Sequence, residues 1–473
     1  MNTNTQPMTE PITQAFGWPQ IVRLGLVQAC LGAVVVVTTS TLNRVMVVEL
    51  ALPALLPGAL VALHYVVQLS RPTMGYGSDV WQRRTPWIVG GMTCLAAGGA
   101  LAAASVVWMA SQPSAGMALA AIAFALIGLG VSAAGTSLLA LLAKRVAPAR
   151  RGAAAAVVWM MMIAGFALTA GLAGHFLDPY SPARLLAVAA TVSALAWLLA
   201  VVALAGLERG TASVTPTPAT PSTATETGLS WQAFGQALAQ VWREPQARHF
   251  TIFVFVSMLA YSSQDLILEP FAGAAFGMTP GQSTQLAGVQ HGGVLLGMVA
   301  VALATAWGAR HRQHRWGPAM ASLRGWTLLG CAASALALLA LVAAGAVGPA
   351  WPLHPTVFAL GVANGAFSIG AIGSMMMLAD QGRRAREGTR MGLWGAAQAM
   401  AFALGGLLGT GAADLARALW ADPGTAYASV FALEALLFGL SAWLAMRITT
   451  GPAAAPAARA YPHPTLPAQG DHA

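Results

Sequence analysis

Apolar residues run along the chain in stretches of about 18 to 25, each long enough as a helix to cross a bilayer's hydrocarbon core. Such stretches predict spans at 20–42, 54–71, 87–110, 117–143, 153–175 and 183–206, and again at 248–268, 283–307, 320–346, 355–379, 389–412 and 424–446. Between the two sets the pattern breaks. Residues 208–230 contain TASVTPTPATPSTATETG, too poor in apolar side chains to fold alone. A short amphipathic stretch, Trp231 to Trp242, follows, and the tail beyond Met446 is Ala- and Pro-rich. The predicted organisation is a cytoplasmic segment 1–19, a six-helix bundle 20–207, a cytoplasmic linker 208–247 with a short amphipathic helix, a second bundle 248–447, and a disordered cytoplasmic tail 448–473. The fold class is an all-α polytopic membrane protein with 12 transmembrane helices in two six-helix halves.

Composition agrees. Of 473 residues 57% are hydrophobic and 8% charged, against about 25% charged in soluble proteins, which excludes an ordinary soluble enzyme. The net charge of +9 is scattered in short basic clusters between spans, so it reads as topology and not as a nucleic-acid face. With a cytoplasmic N-terminus only Arg44, Arg184 and Arg417 fall outside. Arg71, Arg83, Arg84, Lys144, Arg145, Arg150, Arg151, Arg209, Arg243, Arg248, Arg310, Arg312, Arg315, Arg383, Arg384, Arg386 and Arg390 fall inside. Trp18, Trp87, Trp108, Trp307, Trp326 and Trp351 lie near span ends, as in an interfacial belt. Cys30, Cys94 and Cys331 sit within apolar runs without metal or redox spacing and are expected buried and unpaired. The polar first 18 residues make the first span an expected uncleaved signal-anchor.

Polar residues at membrane depth are costly and therefore informative. Span 1 ends in LNRVMVVEL (Leu42 to Leu50) and span 7 in YSSQDLILEPFAG (Tyr261 to Gly273), corresponding positions in the two halves. Asp265 and Glu269, four apart, share a helix face if the helix continues that far, and either can pair with Arg44 as a latch between halves. The competing reading leaves all three solvated just beyond the hydrocarbon. Glu434, near the middle of span 12, is either a structural acid or a proton site. His64, His175 and His291 fall in or at the edge of the membrane; each is a candidate ligand or an interhelical hydrogen-bonding group. Around His291, Gly288/Gly292 and Gly293/Gly297 allow close helix packing or leave room for a flat macrocycle. No DxxD cluster, Walker A loop, HExxH or GxSxG occurs, so no enzyme is expected and no directly bound metal.

The loop between spans 2 and 3 places Gly75, Asp79, Arg83 and Arg84 in the pattern Gly, Asp four residues later, then two basic residues. It resembles the cytoplasmic loop motif of the major facilitator superfamily, in which an Asp at a helix end pairs with Arg and a neighbouring helix N-terminus. A surface turn with topogenic charges is the alternative. The second-half loop, Gly308 to Arg315, lacks the Asp, whereas PARRG (Pro148 to Gly152) and RAREG (Arg384 to Gly388) are a weak but correctly placed repeat. LNRVMVVEL, RPTMGYGSDVWQRRTPWIVGG (Arg71 to Gly91), SMLAYSSQDLILEPFAGAAFGMTPGQSTQLAGVQHGGVLLGM (Ser257 to Met298) and REGTRMGLWGAAQAMAFALGG (Arg386 to Gly406) together resemble the PucC/LhaA family, the bacteriochlorophyll-delivery branch of that superfamily.

The resemblance implies an assembly factor for light-harvesting antenna complexes in a bacterial inner membrane, binding and delivering bacteriochlorophyll as cargo. Antenna polypeptides, the lipid bilayer, and the reaction centre and pigment-synthesis enzymes are the implied partners. A bacteriochlorophyll Mg²⁺ accepts an axial His nitrogen, so His291 is the first candidate ligand and His64 the second, with Arg44, Asp265 and Glu269 setting the geometry of the halves. Two other functions remain open: a proton-coupled small-molecule transporter using Glu434 or Asp265, and a pigment-free scaffold holding antenna helices on small-residue faces.

Overall fold

The structure, a computed structural model, describes residues 15–71, 74, 83–147, 150–208, 242–381 and 387–447. These fold into twelve long helices: α1 (Trp18–Glu49), α2 (Leu55–Ser70), α3 (Thr85–Met109), α4 (Pro113–Arg145), α5 (Arg151–Leu177), α6 (Pro182–Leu204), α7 (Pro245–Phe276), α8 (Pro280–Arg310), α9 (Leu323–Val347), α10 (Leu353–Gln381), α11 (Glu387–Leu419) and α12 (Pro423–Met446). Eleven are long and apolar enough to cross a membrane, and α2 is a shorter apolar helix at the position of the expected second span.

Local chemistry sets where the helices start. Proline stands in the first turn of α1, α3, α4, α6, α7, α8 and α12, where its missing N–H costs nothing and its fixed φ suits the helix. Thr279 caps α8 in a reciprocal box with Gln282, the backbone N–H of each donating to the other's side-chain oxygen at 3.0 and 3.1 Å. Asp422 caps α12 by accepting from the Thr425 N–H at 2.7 Å. Gly277, at φ +65°, closes α7 in the left-handed conformation.

The polarity of the bundle is inverted relative to a soluble protein. Leu168, Leu336 and Leu436 are two-thirds exposed in mid-helix, while Arg44, Glu269 and Glu434 are buried. A solvent of lipid accounts for this arrangement; Trp18, Trp108 and Trp307 stand exposed at helix ends, as an interfacial belt requires.

The helices pair in a repeated pattern. In the first half α3 packs on α4 and α6, α1 on α5 and α6, and α2 on α4; in the second half the same pairs recur six helices later. Between halves α2 packs on α11 and α8 on α5, which are equivalent pairs under the same exchange. Each half has its own apolar core, and a small cluster of Met162 and Ile163 against Val294 and Met298 bridges them at the α5–α8 contact.

Several expectations are corrected. Helix α1 does not stop at 42 but continues through two π-helical segments, Val37–Thr41 and Val45–Glu49. Helix α7 likewise runs past 268 to Phe276. Arg44, Asp265 and Glu269 therefore lie within helices, and Arg44 is not an outer-loop charge. Arg44 and Glu269 are each only 2% exposed, because a second bundle, and not water, covers the ends of these helices. All three cysteines are free, but only Cys30 and Cys331 are buried; Cys94 is half-buried. Gly75 and Asp79, the stretch Trp231 to Val241, and parts of PARRG and RAREG lie outside the described residues.

Candidate functional site

Helix α1, which is α-helical at Leu42–Arg44 between its two π-helical segments, turns polar side chains onto the second half. Asn43 donates through Nδ2 to the backbone carbonyl of Leu266 at 2.7 Å. That carbonyl is available because Pro270, four residues on inside α7, has no N–H to give it. An orphaned carbonyl in hydrocarbon costs on the order of several kcal/mol, so Asn43 supplies from one half what the proline removes from the other.

Arg44 reaches across as well, to partners other than those expected. Its Nη2 donates to the Met278 carbonyl at 2.6 Å, and its Nη1 forms an ion pair with Glu49 at 2.6 Å. Asp265 and Glu269 are not within ion-pair distance of it. Gly273 makes room for the guanidinium: a Cβ there would lie 2.8 Å from Nη2. Nearby, the Thr41 and Thr284 hydroxyls meet at 3.1 Å across the halves, and Thr284 also reaches Glu269 Oε2 at 3.5 Å. Two further bridges flank this group. Asp414 of α11 accepts the backbone N–H groups of Ala54 and Leu55 at 2.8 Å each, capping α2, and Thr279 donates to Asp178 at 3.0 Å. The α1–α2 end of the bundle is thus closed by side chains from both halves.

Just beneath lies a cavity of about 50 Å³ between the halves. Its polar lining includes Ser40, Tyr65, Asp265, Glu269, Gln290 and His291, with Phe402 and Leu266 among the apolar residues. Gln290 donates to Asp265 at 3.4 Å. His291 is 8% exposed, packs at a tilt against Phe166 with 5.1 Å between ring centres, and has no partner for Nδ1. Glu269 Oε1 and Ser40 Oγ are also without partners.

The other sequence candidates are not brought to this cavity. His64 is 2% exposed and its Nε2 is 2.8 Å from Gln68 Nε2, one turn along α2; Arg71 in turn donates to Gln68 Oε1. This bond is within one helix, not between helices. His175 is exposed near the end of α5. Glu434 is 1% exposed within α12 and neither carboxyl oxygen has a hydrogen-bond partner. Of the loop motif, Arg83 is exposed and Arg84 buried. The backbone N–H groups of Arg84 and Thr85 donate to Glu208 at 3.1 and 3.0 Å, so Glu208 caps α3 within the first half.

The glycines around His291 serve helix packing. A Cβ at Gly288 would lie 2.8 Å from the Gly171 nitrogen of α5, and Gly293 and Gly297 abut the α10 backbone; of the four, only Gly292 faces open space. A macrocycle does not fit the 50 Å³ cavity, since sites for ligands of drug size occupy about 300 Å³ or more. A larger space exists elsewhere. A groove of about 640 Å³ lies between α1, α5 and α6, lined by Leu26, Cys30, Ala33, Thr169, Phe176 and Leu195 among others, almost wholly apolar. Its Leu168, Leu172 and Phe176 side chains are each at least 60% exposed, so it opens towards lipid.

Sequence reasoning missed Glu49, Asn43, Asp414, Thr41, Thr284 and Gln290. One signal was available, since a proline inside an apolar helix frees the carbonyl four residues earlier and calls for a donor.

A family model described as "PUCC protein" matches residues 41–452. The chain belongs to the PUCC family. This PUCC chain is 51% identical over 439 residues, 93% of it and 97% of the relative, to the "Bacteriochlorophyll synthase 44.5 kDa chain" of Rhodobacter capsulatus. It is 29% identical over 451 residues to "Protein PucC" of Cereibacter sphaeroides, covering 91% and 92% of the two chains. Among solved structures it is similar to the peptide transporter POT in complex with sulfate, with TM-score 0.64, 14% identity and coverage of 92% and 96%. It is similar also to the nucleoside transporter NupG, with TM-score 0.62, 14% identity and coverage of 91% and 98%. The PUCC chain therefore has the fold of the major facilitator transporters, and likeness at this identity extends to the fold alone.

Proposed function

We propose that this chain is a non-catalytic assembly factor for light-harvesting antenna complexes, holding bacteriochlorophyll as cargo and passing it to antenna polypeptides within the bacterial inner membrane. The observation that carries this reading is the lipid-open groove between α1, α5 and α6: its volume of about 640 Å³ and apolar lining suit a rigid ring and a long tail that stay in hydrocarbon. Half-identity to a relative named for bacteriochlorophyll supports the cargo's class. Both termini lie on the cytoplasmic side in this reading, which turns the closed α1–α2 end outward, in keeping with the basic residues of the opposite loops.

His291 is at the 50 Å³ cavity and His64 is tied to Gln68, so neither reaches the groove, and the Mg²⁺ of a ring held there takes its axial ligand from elsewhere. The test is the absorption spectrum of protein purified in mild detergent from a pigment-producing phototroph, after removal of antenna complexes. Near-stoichiometric, chemically unchanged bacteriochlorophyll is expected. Ala33→Phe with Thr169→Phe, filling the groove, should lower it severalfold, and His291→Ala should not. A colourless protein that retains antenna polypeptides would replace delivery by the pigment-free scaffold. The fold supports a second reading, a proton-coupled transporter of small molecules, for which proton-driven uptake into proteoliposomes is the test.

A further inference from the structure

Asp265 and Glu269 occupy successive turns of α7 and both line the 50 Å³ cavity between the halves. A single buried water needs about 10–15 Å³ of such space, so this one holds a few waters and no organic ligand. The guanidinium of Arg44 is engaged by Glu49 and by the Met278 carbonyl. Neither carboxyl is in an ion pair; Glu269 is buried and Asp265 half-buried at the cavity wall, and a carboxylate withdrawn from bulk water without a paired cation is neutralised by taking a proton. Two deeply buried groups aim unpartnered atoms at this place: Glu269, 2% exposed, with Oε1 free, and His291, 8% exposed, with Nδ1 free. Among the described residues no three His, Cys, Asp or Glu side chains are grouped as a metal ion would need, and the Gln290 amide donates to Asp265.

We propose that Asp265 and Glu269, with the waters of this cavity, form a proton-exchange site that controls how firmly the two halves are held at the α1–α2 end. The step is a simple transfer: Glu269 Oε1 takes a proton from a hydronium relayed along the cavity waters, forming O–H and leaving water, and in reverse that O–H bond breaks and the proton returns to a water as hydronium. The coupling is geometric. Thr284, which donates to Glu269 Oε2, also meets Thr41 of the other half, and Arg44 is near enough to act on Glu269 electrostatically. Charging Glu269 strengthens its hold on Thr284 and competes with Glu49 for Arg44; neutralising it releases both. The titratable and charged groups facing the pair are Arg44 and Glu49 from α1, Tyr65 from α2, Tyr261 from α7, His291 from α8, and Glu434 from α12. This site stands apart from the cargo groove, and its test does not depend on what the groove carries.

Infrared difference spectra of the full chain in lipid nanodiscs, between acid and alkaline buffer, should contain the carbonyl-stretch band of a protonated carboxyl. Glu269→Gln and Asp265→Asn should each remove part of that band, and most of what the double variant leaves should disappear when Glu434→Gln is added. Spin labels at Ser111→Cys and Ala421→Cys, exposed at this end in opposite halves and placed in a background lacking Cys30, Cys94 and Cys331, should give a separation that shifts with pH. The shift should be lost with Glu269→Gln. A band unchanged in the double variant, a band driven by Na⁺ at fixed pH, or a separation indifferent to pH would each overturn the proposal. Should the variants not fold, a separation in the labelled parent that is indifferent to pH still overturns the proposal.

Discussion

At the scale of single residues, the link between halves turns on how a buried guanidinium is accommodated. Arg44 is 2% exposed, pairs with Glu49 and donates to the Met278 carbonyl, with Gly273 leaving the space it fills. Adding a methyl group 2.8 Å from Nη2 forces that group to shift, and overpacking of this kind costs about 1–3 kcal/mol. Gly273→Ala should therefore lower the apparent melting temperature in detergent. In an Arg44→Met background the same change should cost almost nothing, because the clash is gone; equal losses in both backgrounds would mean that Gly273 matters for another reason. Arg44 was visible in the sequence as a charge in the wrong place, but Glu49 as its partner was not. Asp265 and Glu269 offered the same charge at a plausible position, whereas the carboxylate the guanidinium meets is Glu49, five residues on in the π-helical segment Val45–Glu49.

At the scale of helices, the spans were legible because a run of some twenty apolar residues has few other uses. Their ends were not. A hydropathy pattern treats Arg44 or Glu269 as the start of water, whereas both lie in helices covered by the other half. Pro270 illustrates what composition conceals, a vacancy in one helix filled from another. Asn43→Ala should cost about 1–3 kcal/mol by leaving the Leu266 carbonyl unpaired. Pro270→Ala restores the missing N–H, so the double variant should recover most of that loss in thermal unfolding; no recovery would mean that Asn43 acts otherwise. Helix α3 offers a pH-dependent counterpart. Burial raises the Glu208 carboxyl, but hydrogen bonds from Thr85 and the Arg84 backbone outweigh it and hold the group below its usual 4.5. A depressed folded value means the stabilisation is present above about 4.5 and is lost as pH falls through the lower folded value. Wild type should lose stability across that acid range, and Glu208→Gln should flatten this part of the profile while lowering stability at neutral pH.

At the scale of the whole molecule, two bundles related by a six-helix exchange meet along α2–α11 and α5–α8, an arrangement suited to rocking about a central site. Whether that motion serves the function separates a carrier from a scaffold. Cargo in the α1–α5–α6 groove touches the first half alone, so a scaffold or a passive holder has no need for the halves to move. A carrier that expels its cargo by moving one half against the other does need it. The hydroxyls of Thr41 and Thr284, 3.1 Å apart across the halves, are close enough for a disulfide when both are replaced by cysteine, given a small adjustment of the helices. In a background lacking Cys30, Cys94 and Cys331, Thr41→Cys with Thr284→Cys should therefore cross-link on mild oxidation and free itself on reduction. Assembly of antenna in isolated membranes should stop in the oxidised protein and resume on reduction if rocking drives release. Antenna assembly at the wild-type rate with the halves locked would leave the groove as a static berth and remove the transporter cycle from the mechanism. Pigment content of the locked protein completes the assignment: retained pigment with no assembly places the block at release, and lost pigment places it at loading.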